Sequence, residues 1–183
     1  MQDLSLHILD IAENCIEAGA KKIEIRINED TKQNMLVLEI KDNGKGMDKG
    51  TIAKVLDPFY TTKKMKKIGL GLSMLAQATK EAAGNIIINS TRGKGTTVTA
   101  KFTYDHIDRK PLGNITETII SLVATKGLNT DFIYEHHKNC KSFVFSTKDI
   151  KKELNEVPIN NAEVLKVIRK SIVRELKNIG VIT

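Results

Sequence analysis

Apolar side chains fall at Leu4, Ile8, Ile11, Ala12, Cys15 and Ile16, the spacing of a helix with one buried face over 4–18, and Gly19 ends it. The period then changes to two. Ile23, Ile25 and Ile27 alternate with Glu24 and Arg26, which predicts a strand over 22–27. A turn over 29–34 and a second strand over 35–40 complete a hairpin. A polar glycine-rich loop follows, then a short helix at 49–55 that Asp57-Pro58 breaks. Gly69-Leu70-Gly71-Leu72-Ser73 opens a helix that runs to about residue 83, where Gly84 stops it. Two more strands, 85–90 and 96–104, flank the turn Thr91-Arg92-Gly93-Lys94-Gly95. Beyond Pro111 the pattern predicts a helix (114–125), a hairpin (131–136 and 142–145, turning at Lys138-Asn139), a short helix (149–154) and a last helix (162–179). Helices and hairpins in this order predict an α+β fold.

The chain has 183 residues, enough for one domain with a small appendage, and the shift in composition over 105–112 divides it into 1–106 and 107–183. With 40% apolar and 28% charged residues it reads as a soluble globular protein. Aromatic residues are 4% and Trp is absent, so few side chains are there to stack on nucleic-acid bases. The net charge of +7 points to an anionic ligand or partner, or simply to a solvated surface. Cys15 and Cys140 stand far apart without CxxC spacing, against a disulfide framework or a zinc site. No apolar run reaches membrane-spanning length and the N-terminus lacks a signal-peptide pattern, so a cytoplasmic location is expected.

Chemistry concentrates in three places. His7, Asp10, Asn14 and Glu17 lie three or four residues apart, forming a polar stripe on the first helix. Such a stripe is either a solvated face or one wall of a ligand site, where an amide oxygen and a carboxylate one turn apart hold Mg²⁺ and orient a water. In Asp42-Asn43-Gly44-Lys45-Gly46-Met47 the glycines permit close backbone approach, and the carboxylate suits an exocyclic amine such as that of adenine; the bland reading is a turn. Gly69-x-Gly71 opens a helix whose N–H groups suit phosphate, and Lys63, Lys64, Lys66 and Lys67 precede it as a basic lid. His136 and His137 read as a solvated pair, with metal binding or phosphoacceptance as the alternative.

In this order the segments resemble the GHKL superfamily of gyrase, chaperone ATPases, histidine kinases and mismatch-repair ATPases. AENCIEAGAKKIEI is similar to the N-box, DNGKGM to the first glycine box and DPFYTTKK to the phenylalanine box. IGLGLSMLAQATKEAAGNIIINSTRGKGTTVTAKF resembles the second glycine box and closing strands of sensor kinases. The resemblance covers roughly residues 4–102. It implies a two-layer α/β sandwich of the Bergerat type, with ATP and Mg²⁺ as ligands. It implies that Asn14 binds Mg²⁺, that Asp42 receives the adenine amino group, and that Gly44, Gly46 and Met47 shape the pocket. Phe59 would pack near the lid, Thr62 and Lys63 would lie over the phosphates, and Gly69, Leu70, Gly71 and Leu72 would form the phosphate-binding turn. Thr96 would support the adenine end, with Thr97 as the alternative register. Asp10 stands where hydrolytic members carry Glu, one methylene longer, so binding is expected to outrun hydrolysis.

The motifs begin at the N-terminus, leaving no room before them for the phosphoacceptor helix pair of histidine kinases, and His7 on the N-box helix reads as structural. The expected role is therefore phosphotransfer to, or ATP-regulated signalling through, a separate protein, as in anti-sigma kinases. A non-catalytic ATP-gated module is the alternative; a DNA-linked ATPase is a weaker third, and nucleic acid is not the expected partner. Residues 107–183 either form an independent unit or extend the main sheet. Their apolar helices read as closing the fold, with a partner or homodimer surface as the alternative.

Overall fold

The computed structural model describes residues 2–55 and 71–181. Within them Leu4–Glu17 forms α1, Lys22–Asp30 β1, Met35–Asp42 β2, Lys49–Lys54 α2, Gly71–Glu81 α3, Asn85–Thr91 β3 and Gly95–Thr103 β4. Ile115–Lys126 is α4, Asp131–Lys138 β5, Lys141–Ser146 β6, Thr147–Glu153 α5 and Ala162–Asn178 α6. The strands make one sheet in the order β3-β4-β2-β1-β5-β6. β1 and β5 run parallel and every other pair is antiparallel, so the sheet is mixed, as the α+β reading requires.

The period-two pattern explains which face is covered. Ile23, Ile25 and Ile27 of β1, Leu36, Leu38 and Ile40 of β2, and Phe132 and Tyr134 of β5 are all buried on one side. α1 lays Leu4, Ile8 and Ile11 into this layer, α3 adds Leu75 and Ala78, α4 adds Ile119 and Val123, and α6 adds Ile168, Ile172 and Leu176. Each of the larger side chains contributes about 1.5–3 kcal/mol on burial. On the opposite face Arg26 joins three strands: its guanidinium donates to Glu24 (2.8 Å), Glu39 (3.1 Å) and Glu135 (3.0 Å).

Residues 107–181 extend the main sheet through the β5–β6 hairpin, and α4 packs on both α1 and α6. The chain before α4 also grips the start of α1, where Leu4 and Ser5 donate their N–H groups to the carbonyls of Pro111 and Leu112, both at 2.9 Å. Asp3 caps the same helix end by accepting from the Leu6 N–H.

Two expectations are corrected here. Glu29 and Asp30, assigned to a turn by their polarity, continue β1 and pair with Leu36 and Met35. His136 is not solvated: it is fully buried on the helix-covered face. Its Nδ1 lies 2.6 Å from the Tyr134 hydroxyl and its Nε2 2.8 Å from Glu29 Oε1, while Lys138 Nζ stands 3.8 Å from Glu29. The His136 ring thus links the two: Nε2–H donates to the carboxylate, and the tyrosine hydroxyl meets Nδ1. His137, the next residue, points to the open face within 3.8 Å of Glu135. Glu29 thus stays in the strand because the incoming hairpin supplies it with buried partners.

Candidate nucleotide-binding site

The last residue of β2 and the second half of α1 border a cavity of about 640 Å³. Asn14, Asp42, Gly46, Met47, Leu72 and Thr96 line it together, and Ile11, Val55 and Val98 add apolar wall. The size and the mix of apolar wall with a few polar groups suit a small-molecule ligand.

Asp42 is buried because it occupies an inward position of β2, in step with Leu36, Leu38 and Ile40. Its Oδ1 accepts the Gly44 N–H at 2.7 Å, which fixes the carboxylate plane. Gly44 itself packs under the loop: a Cβ there would lie 2.9 Å from the Ala18 carbonyl and from Asp42 Oδ1. At Gly46 the backbone is left-handed (φ +62°), and a Cβ would come within 2.1 Å of the Thr91 carbonyl oxygen. The loop after β2 can lie against the β3–β4 turn only because that position carries no side chain. Gly93 N–H completes the junction by donating to the Lys45 carbonyl at 2.7 Å.

One turn apart on α1, Asn14 Nδ2 donates to Asp10 Oδ2 at 3.2 Å, leaving the Asn14 amide oxygen available to a cation. Asp10 also meets the first residue of α3. A Cβ on Gly71 would fall 1.6 Å from Asp10 Oδ2, so the helix start and the carboxylate approach only through glycine. The N–H groups of a helix start favour an anion at this point.

At the other end, Thr96 Oγ1 lies 2.8 Å from Ser90 Oγ, which accepts the Met47 N–H at 2.8 Å. Thr96 lines the cavity, whereas Thr97 sits in the row of Lys41 and Asn89. Phe59, Thr62, Lys63, Gly69 and Leu70, with the lysines of the expected lid, lie outside the described residues.

The polar stripe on α1 is not uniform. Glu17 is exposed, but His7 is buried, and burial lowers its imidazole pKa to about 4. Three cavity features went unread in the sequence. Cys15 fits the apolar pattern of α1, yet it also lines the cavity, and burial, followed by the nearby Asp42, pushes its thiol pKa up. Ser90 and Arg92 gave no local signal, since only the β3–β4 register brings them to the loop after β2. Among the described residues no group of three or more His, Cys, Asp or Glu is placed to hold a metal. A Mg²⁺ ion here would fit the Asn14 oxygen together with oxygens of its ligand and water, the usual donor set of that ion.

The chain is 37% identical over 99 residues to a protein of Shewanella frigidimarina named for a sensor role, covering 53% of this chain and 15% of that one. It is 34% identical over 113 residues to the sensor histidine kinase WalK of Bacillus subtilis, covering 56% of this chain and 18% of the kinase. The chain therefore matches less than a fifth of the length of either relative. The N-terminal domain of a DNA repair protein shares the fold, with a TM-score of 0.54 over 79% of this chain and 52% of that one at 18% identity. Residues 2–106 match the model of the histidine kinase-, DNA gyrase B- and HSP90-like ATPases; that is more than half of the chain, which belongs to this family.

Proposed function

We propose that the chain binds Mg²⁺-ATP in this cavity and uses it to phosphorylate, or to signal through, a separate protein. The observation that carries the reading is the convergence of Asn14, Asp42 and Thr96 on one cavity beside the start of α3. In this reading the Asp42 carboxylate accepts the adenine amine, while the Ser90–Thr96 hydroxyl pair holds the adenine end. The triphosphate then runs toward Gly71 and Asn14. Asn14 holds the Mg²⁺, which neutralises phosphate charge, and phosphoryl transfer of this kind rests on positioning and electrostatics. Asp10 is the carboxylate nearest that end and would take a proton from the attacking group; its tie to Asn14 sets its direction.

A second reading, an ATP-gated binding module with little turnover, is favoured by the same Asp10. Its short side chain is held by Asn14 and packed on Gly71, which restricts its reach. Calorimetric titration with Mg²⁺-ATP and Mg²⁺-GTP tests the shared part: heat with ATP, lost in Asn14→Ala, with the ATP preference reduced in Asp42→Asn. No ATP heat, or an unchanged base preference in Asp42→Asn, rejects the site. Incubation with γ-labelled ATP and neighbouring-gene proteins separates the two readings, since label on a partner supports the kinase and binding without label supports the module.

A further inference from the structure

Three turns meet at the end of the sheet where β1 begins and β2 ends. Asn43 Oδ1 accepts the N–H groups of Lys21 and Lys22, both at 2.9 Å, which joins the α1–β1 turn to the loop after β2. The Gly93–Lys45 hydrogen bond joins that loop to the β3–β4 turn. Each turn, with the strand residues beside it, contributes two exposed cations: Lys21 and Lys22, Lys41 and Lys45, Arg92 and Lys94. Among the described residues only Lys22 has an ion-pair partner, Glu24, which also serves Arg26. The carboxylates nearby do not balance the set. Asp42 is buried in the cavity, Asp48 caps α2 through the Thr51 N–H and lies within the field of Arg92, and Glu17 is one exposed carboxylate at the end of α1. Six cations gathered on hydrogen-bonded turns repel one another, and an anionic partner relieves that repulsion.

We propose that this surface docks an acidic segment, rich in Glu and Asp, of the protein on which the chain acts. Lys45 and Arg92 also line the cavity, so the docked segment borders its mouth. Duplex nucleic acid fits less well: none of the three turns carries an aromatic side chain for a base, and none presents a helix to a groove. The docking uses no nucleotide, so its success or failure is independent of the ATP reading.

Fluorescence anisotropy with a labelled peptide of about ten Glu and Asp residues, without nucleotide, tests it on the full chain. The variant Lys21→Glu/Lys41→Glu/Lys94→Glu changes only residues outside the cavity lining. Lys166→Glu/Lys170→Glu/Lys177→Glu on α6 makes the same change in net charge elsewhere. The first variant should bind at least about tenfold more weakly, the second should stay within about threefold of wild type, and binding should weaken as salt rises from about 20 to about 200 mM. If charge reversal unfolds the first variant, Lys21→Gln/Lys41→Gln/Lys94→Gln should show a loss of about threefold or more. Equal losses in the two charge-reversed variants, no peptide binding, or tighter binding of a duplex of about twenty base pairs overturns the proposal.

Discussion

Glu29→Leu removes the acceptor at the end of the buried Tyr134–His136–Glu29 chain. That carboxylate is 3% exposed, takes the His136 Nε2–H at 2.8 Å and stands 3.8 Å from Lys138 Nζ. Leucine roughly preserves the volume, so the cost comes from donors left without an acceptor. Breaking such a buried pair costs about 3–5 kcal/mol. For a chain of this size that lowers Tm by roughly 10 °C. The comparator is Glu135→Gln, whose partner Arg26 is as near, at 3.0 Å, but whose side chains are 24% and 40% exposed; solvent screening limits its loss to about 0–1 kcal/mol. Urea unfolding followed by circular dichroism, with a calorimetric scan, measures both at pH 7. The effect also has a pH signature. Burial acts to raise the Glu29 carboxyl pKa, but the hydrogen bond and charge of His136, with the Lys138 charge, hold it below its ordinary value. A carboxyl whose folded pKa is depressed stabilises the fold above its unfolded pKa of about 4.3 and loses that contribution as pH falls through the folded value. The gap between variant and wild type should therefore be full at pH 7 and shrink in acid. If Glu29→Leu loses no more than Glu135→Gln, the buried chain does not hold the hairpin and the reasoning fails.

His7 predicts a second acid effect with its own window. Its folded pKa of about 4 lies below the ordinary 6.5, so between those values the unfolded chain binds the proton and the fold does not. Stability should fall by roughly 3 kcal/mol from pH 7 to pH 4 on this account, and His7→Phe should flatten that slope in urea titrations; an unchanged slope rejects it. Gly46→Ala puts a methyl against the Thr91 carbonyl at a left-handed position, so it should lower stability by about 2 kcal/mol or more and weaken ATP binding. Wild-type values in both urea unfolding and calorimetry would show that the two segments part freely. Asp10→Glu lengthens the carboxylate by one methylene and should raise phosphate release from ATP by about tenfold in a steady-state assay; a flat or lower rate means that length is not what limits turnover.

The elements were legible because their causes are local. A period of 3.6 marked α1 and α6, a period of two marked β1, β2 and β5, and the hydrogen-bonding side chains Asp3, Asn114 and Asn161 cap three of the helices. The cavity was legible in part for the same reason: Asp10 and Asn14 share a helix face by spacing alone, and Asp42 ends a strand whose inward positions can be counted. Tertiary structure alone decided the rest. Pairing of β5 with β1 joins residues more than a hundred positions apart, and neither strand's pattern names its partner. That pairing buried His136 against Glu29 and turned a polar strand end into a core position, where polarity had suggested a turn and a solvated histidine. Likewise the β3–β4 register set Thr96 against the cavity and brought Ser90 to the Met47 N–H. Sequence by itself determined which residues carry polar chemistry and in what order they follow along the elements. Which of them face one another, and what completes their hydrogen bonds, follows from long-range packing that no local pattern records.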